Sequence, residues 1–160
     1  PGEYHVIAVD DADAEDWRDP ARLDVLAPIT PTNQPLPFMS PDARYAVCRY
    51  DTSAGPVAVT VSLPDVGWAL ALYTPEGDNF YYATGQSARR TTLNLLLVPA
   101  TSEQVLGTSA EAQPAAPAGA PLTVAARQGL LVIRAPERGT AYRQAVEAEL
   151  RKARCALRRT

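Results

Sequence analysis

The chain has 160 residues, 46% of them hydrophobic and 21% charged, with a net charge of −3, which is one globular domain by length and composition. A single histidine excludes multi-histidine metal sites, no apolar run approaches the roughly 18 residues of a membrane span, and the acidic balance speaks against nucleic acid as a partner. Fifteen prolines argue against long helices and for strands joined by loops.

The chain begins at Pro1 without a methionine, so the reading expects a processed or truncated piece from which an N-terminal anchor or leader has been removed. Residues 1–40 carry eight acids and two bases, residues 41–136 seven and six, and residues 137–160 three and seven. The acidic entry and basic exit read as solvated faces that can also attract each other in the fold. Tyr4–Val9 suits an edge strand, and Asp13 suits the cap of a short helical turn in an acidic stretch whose large apolar group is Trp17. Ala21–Leu26 reads as a turn or short strand. Prolines at 28, 31, 35, 37 and 41 impose an extended segment, because proline also pushes its predecessor out of the α region. That segment is expected to wrap a sheet edge with Leu36, Phe38 and Met39 tucked in.

Residues 43–135 read as the sheet core. Arg44–Asp51 alternates, and Val57, Val59, Val61 and Leu63 alternate with Ala58, Thr60 and Ser62, the period of a strand with one face in a core. After the Pro64-Asp65 break, Trp68, Leu70 and Leu72 alternate with Ala69, Ala71 and Tyr73, and the small alanines suggest close approach of another layer. Pro75-Glu76-Gly77-Asp78 has the residues of a tight turn, and Asn79–Ala83 is aromatic enough to be the returning strand of a hairpin. Thr91–Val98 is apolar enough to be buried on both faces. Ser102–Leu106 suits one helical turn, and Glu111–Pro121 is an Ala/Pro/Gly excursion. Leu122–Ala126 and Leu130–Ala135 read as a hairpin joined by Arg127-Gln128-Gly129. Thr140 to about Leu157 is the one long helix, with Tyr142, Ala145, Val146, Leu150, Ala153 and Leu157 on one stripe and Glu147 and Arg151 paired at i,i+4 outside it.

Cys48 and Cys155 match no zinc spacing and no C-x-x-C motif. They are either two separate thiols or a disulfide closing a long loop in an oxidising compartment. On a regular final helix Cys155 falls opposite the apolar stripe, an odd place for a small buried hydrophobe, which tilts the reading toward pairing.

Chemistry-bearing motifs are sparse. His5 stands near the start of the chain, a poor place for a catalytic histidine held by its neighbours. There is no P-loop and no G-x-G-x-x-G. The sharpest constellation is Asp78, Asn79, Tyr81 and Tyr82 with Arg89 and Arg90 beyond: an acid, an amide and phenols that can hydrogen-bond a sugar or small polar ligand, with rings for stacking. The plainer reading, which is preferred, gives Asp78 and Asn79 to turn geometry and the tyrosines to the rim of the sheet. Asp65 and Asp78 sit at opposite ends of one strand, roughly 25–30 Å apart at about 3.3 Å per residue, too far to act as paired carboxylates.

Tyr45–Asp51, Gly55-Pro56-Val57, Leu63-Pro64-Asp65, Trp68–Tyr73 and Gly77-Asp78-Asn79-Phe80 together resemble the bacterial domains of unknown function 1254 and 1214, over about residues 43–100 and less closely in the last hairpin and helix. The resemblance implies a β-sandwich of jelly-roll type, often in envelope-associated proteins and sometimes behind an N-terminal anchor. It implies no catalytic residue. The resulting expectation is a mainly β, antiparallel, jelly-roll-like β-sandwich with one C-terminal amphipathic α-helix: one domain over 1–160, with a Pro-rich acidic wrap over 1–42, the sheet core over 43–135 and the helix over 139–158. In function it is expected to be a non-enzymatic domain on the periplasmic side of a bacterial inner membrane, binding a partner protein, a second copy or a small ligand. No cofactor, metal or nucleic acid is expected, and membrane contact only through the removed anchor. The competing expectation is an enzyme acting on carbohydrate or lipid near Asp78 and Asn79.

Overall fold

The computed structural model describes residues 22–36, 39–99 and 121–158. The expected strand Tyr4–Val9, the Asp13 turn, Trp17, Phe38, the Ser102–Leu106 turn and most of the Ala/Pro/Gly excursion lie outside those residues. Nine strands are described: β1 (Arg22–Val25), β2 (Ala43–Asp51), β3 (Val57–Leu63), β4 (Ala69–Tyr73), β5 (Asn79–Thr84), β6 (Thr91–Val98), β7 (Leu122–Ala125), β8 (Gln128–Pro136) and β9 (Arg154–Leu157). A 3-10 turn (Thr140–Tyr142) leads into the one α-helix among the described residues, α1 (Arg143–Arg151). The fold is mainly β, as expected.

The strands form two sheets, one in the order β1-β2-β8-β4-β5 and one in the order β7-β6-β3-β9. All pairs are antiparallel except β6–β7, which is parallel. Alternate residues explain how the sheets meet. In the first sheet Ala46, Cys48 and Tyr50 of β2, Leu70 and Leu72 of β4, and Leu131 and Ile133 of β8 are buried; in the second, Val57, Val59, Val61 and Leu63 of β3 and Leu95 and Leu97 of β6 are buried. All belong to one hydrophobic cluster, the arrangement of two inner faces packed as a sandwich.

Consecutive strands do not always share a sheet. β3 and β4 lie in different sheets, and so do β7 and β8; the expected Leu122–Ala135 hairpin is therefore an arch. Its corner is fixed from below by Thr52, which is buried: its hydroxyl lies 2.7 Å from the Ala126 carbonyl and its N–H donates to the Arg127 carbonyl at 2.8 Å. Gly129 then passes so close to β4 that a Cβ there would lie 2.0 Å from the Tyr73 carbonyl oxygen, which is why this position requires glycine. The β4–β5 hairpin forms as expected. β6 is not buried on both faces: Thr92 and Asn94 are exposed while Leu95 and Leu97 are buried.

The outer face of the first sheet is covered in part by the Pro-rich segment. Ile29, Met39, Ala43 and Tyr45 form a second cluster with Leu26, Leu36 and Val132, so this segment packs on the face of β2 and β8. The Ser40 N–H donates to the Tyr45 hydroxyl at 3.0 Å.

The expected helix over 139–158 is corrected to nine residues. Val146 and Leu150 bury its apolar side, and Glu147 and Arg151 pair at 2.6 Å as expected. The chain leaves the helix at Lys152 and Ala153 and pairs with β3, placing Cys155 opposite Val59. Edge pairing along β3 competes successfully here with the helical tendency of the same residues, a tertiary effect that a helical stripe cannot reveal. Leu157, expected on the buried stripe, is 41% exposed.

Candidate functional site

The β4–β5 hairpin carries four of the residues singled out from sequence. Its turn is closed by the Gly77 N–H donating to the Thr74 carbonyl and the Thr74 N–H donating to the Asp78 carbonyl, both at 2.9 Å, and by the Asp78 N–H donating to Thr74 Oγ1 at 3.1 Å. Gly77 has φ 91°, a conformation that glycine enters without a Cβ clash. The Asn79 side-chain amide donates to the Leu72 carbonyl at 3.1 Å and the Tyr81 carbonyl at 3.0 Å. It thereby clamps the place where the register slips between Leu72 and Tyr73.

The tyrosines diverge. Tyr81 packs against the core cluster, and burial raises its phenol pKa; Tyr82, on the other face, is 63% exposed. Arg89 and Arg90 lie past the far end of β5, about 20 Å from the turn at roughly 3.3 Å per residue. Arg89 is exposed, its N–H closing a turn onto the Gln86 carbonyl. Arg90 is engaged elsewhere, donating to Ser62 Oγ at 2.7 Å and pairing with Glu149 of α1. The structure thus brings Asp78 and Asn79 together on one turn, sends Tyr81 and Tyr82 to opposite faces, and ties Arg90 to the helix.

Asp65, between β3 and β4, organises a loop. Its carboxylate accepts the Val66 N–H at 2.7 Å and the Ala88 N–H at 3.3 Å, with Arg138 at 3.5 Å; these backbone donors hold it below the usual carboxylate value. Ala88 sits at φ 56°, and a Cβ on nearby Gly85 would lie 2.0 Å from the Asp65 carbonyl oxygen.

Sequence reasoning missed Arg44. It is 3% exposed and shares the inward parity of Ala46, Cys48 and Tyr50 on β2, a signal the alternation contained. Its Nη2 donates to the Leu26 carbonyl at 3.1 Å and lies 3.6 Å from Glu147 Oε2; Nε and Nη1 are buried without a protein partner. The Arg151 hydrogen bond, and then the Arg44 charge, hold the Glu147 carboxyl below its usual value. At Glu149, burial pushes the carboxyl upward and is outweighed by hydrogen bonds from Arg90 and Lys152. Asp51 is lowered by the Ser53 N–H. The carboxyls of Asp51, Asp65, Glu147 and Glu149 are thus all shifted toward the charged state, whereas a general acid at neutral pH needs the opposite shift.

Two concavities lie among the described residues. A shallow, open depression of about 320 Å³ is lined by Gln144, Glu147, Ala148 and Arg151, and a crevice between Leu26, Pro35, Leu36 and Val47 is too narrow for water. Among the described residues, no group of three or more His, Cys, Asp or Glu side chains is arranged to hold a metal ion, and no helix is long and apolar enough to cross a membrane.

The two cysteines are joined. Cys48 of β2 and Cys155 of β9 form a disulfide with Cα atoms 6.5 Å apart, buried at 0% and 6% exposure. The bond connects one sheet to the other and anchors the last strand.

Comparison with known proteins supplies a relationship without an activity. The fold is similar to the crystal structure of the VPA0106 protein from Vibrio parahaemolyticus, with a TM-score of 0.56 at 15% sequence identity over 76% of this chain. The matched region spans 29% of that protein. No match was found among curated proteins. Residues 22–156 match the family described as "Protein of unknown function (DUF1254)", a span running from β1 to β9. By that match the chain belongs to the DUF1254 family.

Proposed function

We propose that this domain is a non-catalytic β-sandwich module of a bacterial envelope protein, working on the periplasmic side of the inner membrane and binding a protein partner. The observation that carries the reading is the Cys48–Cys155 disulfide. A buried bond between sheets is a structural disulfide, and such bonds persist in oxidising compartments and are rare where thiols are kept reduced. The absence of a catalytic role is supported by the carboxyl groups at Asp51, Asp65, Glu147 and Glu149, all held toward the charged form by backbone or arginine donors. It is also supported by the use of Asn79 and Arg90 as structural clamps. Such a module works through its surface, and its disulfide ties the two sheets together.

The test is thiol blocking in the native cell. The protein is alkylated in intact cells and during lysis without reductant, and its mass is measured. The expected result is no labelled cysteine, with the protein in the envelope fraction. Two labelled cysteines, or recovery of the protein in the cytosol, overturn the proposal.

A further inference from the structure

The edges of the two sheets differ in how they are defended. Exposed edges invite pairing with another chain, and proteins blunt them with short strands and charges. β1 is four residues long and carries Arg22 and Asp24; β9 is four residues long and carries Arg154; β7 is four residues long. β5 is six residues long, Asn79-Phe80-Tyr81-Tyr82-Ala83-Thr84, has no charge, and holds three consecutive aromatic residues. It pairs with β4 on one side and, among the described residues, ends its sheet on the other.

Which backbone groups face that open side follows from the ladder. The Gly85 N–H donates to the Trp68 carbonyl, so Gly85 points its backbone groups toward β4. In an antiparallel ladder alternate residues do so, which assigns Ala83 and Tyr81 to β4 and leaves the N–H and C=O of Tyr82 and Thr84 facing outward. We propose that this edge is a two-fold pairing site for a second copy of the chain, with Tyr82 opposite Tyr82 of that copy.

The register is chosen by side-chain parity, side-chain size and flanking charge together. Residues opposite each other in an antiparallel pair share a face, and centring the two-fold axis on Tyr82 sets Tyr81 against Ala83, both packed on the core. It sets Phe80 against Thr84 as well, large against small in both rows. It also lays the acidic turn of one copy, with exposed Glu76 and Asp78, alongside the loop of the other that carries exposed Arg89, so the flanking charges are complementary. The outcome is one sheet of ten strands continuing across both copies. This deepens the protein-binding reading above, on which it rests, by naming the surface and the partner.

The experiment is sedimentation over a concentration series of the purified, oxidised chain, with Tyr82→Lys and Tyr82→Glu alone and mixed. The expected result is a reversible monomer–dimer equilibrium in the wild type, weakened at least about tenfold in each variant, since like charges then face each other across the axis. It is restored when the two variants are mixed. A monomer at every concentration, assembly beyond the dimer, or wild-type dimerisation of either variant overturns the proposal. Circular dichroism verifies the fold of each variant. If a variant does not fold, hydrogen exchange on the wild type decides: the Tyr82 and Thr84 amides gain protection with concentration while Tyr81 and Ala83 do not change, and uniform behaviour of all four overturns it. Because purified oxidised protein is used, a monomeric result removes this pairing and leaves the compartment assignment to thiol blocking in cells.

Discussion

Removing the disulfide should cost a large part of the stability of this domain. Cys48 and Cys155 are 107 residues apart, so the bond withholds from the unfolded chain the freedom of a very long loop. In the chain-entropy treatment this amounts to about 4.8 kcal/mol at room temperature. Domains are stable by about 5–15 kcal/mol in total, so the loss is a third or more of the whole. The right perturbation is Cys48→Ala with Cys155→Ala, because serine would leave hydroxyls buried at both sites. For a chain of this length the expected fall in Tm is about 10–20 °C. Urea unfolding should report it as a lower midpoint with a steeper slope, since the unlinked chain exposes more surface when unfolded. The loss should also be felt locally, as β9 has only four residues paired with β3. A double variant within about 1 kcal/mol of the wild type, with an unchanged slope, would refute the reasoning and show that the ladder and the helix hold this strand without the bond.

Three further outcomes follow from packing and charge. Leu150→Ala, at a site 1% exposed under α1, should lose about 2–5 kcal/mol in urea unfolding, and Leu150→Asp should abolish the cooperative thermal transition by burying an unpaired charge; an unchanged Tm in the aspartate variant contradicts the buried stripe. Gly129→Ala should destabilise by about 3 kcal/mol or prevent folding, because its Cβ would meet the Tyr73 carbonyl oxygen at 2.0 Å and the Tyr50 hydroxyl at 2.4 Å; a wild-type urea midpoint would refute the close approach. Stability should fall on acidification: Glu147 and Glu149 lie below their ordinary 4.5, and Asp51 and Asp65 below 3.8. The unfolded chain therefore binds more protons than the folded one below about pH 4.5, and stability rises with pH there. The stabilisation is fully present above about pH 5 and is lost through the depressed folded values. Urea midpoints should show this slope, and Glu147→Gln with Glu149→Gln should flatten it; an equal slope in the double variant removes these two groups as its source.

How far the sequence could be read depended on whether the determining interaction was local. Val57–Leu63 and the Ala69–Thr84 hairpin were legible because alternation and turn chemistry act within a few residues, and the structure has a strand at each. Arg44 was legible in principle, since it continues the inward parity of Ala46 and Cys48, yet its partner Glu147 lies more than a hundred residues away. The candidate ligand cluster looked compact as Asp78, Asn79, Tyr81 and Tyr82. Period-two geometry sends Tyr81 into the core and Tyr82 outward, and the Asn79 amide is taken by the nearby Tyr81 carbonyl and by the Leu72 carbonyl that only hairpin closure brings to it.

By itself the sequence determined the strand-rich class, the core face of β3, the strand alternation of β2 and β4, and the apolar side of α1, because these follow from side-chain periodicity. Sheet membership was decided by tertiary structure: Arg127-Gln128-Gly129 can turn back as a hairpin or arch across to the other sheet, and Thr52 beneath Ala126 and Arg127 selects the arch. The fate of residues 154–157 was decided in the same way. They continue a helical stripe in sequence, but the open edge of β3 supplies a ladder and Cys48 a covalent anchor, and both are distant in the chain.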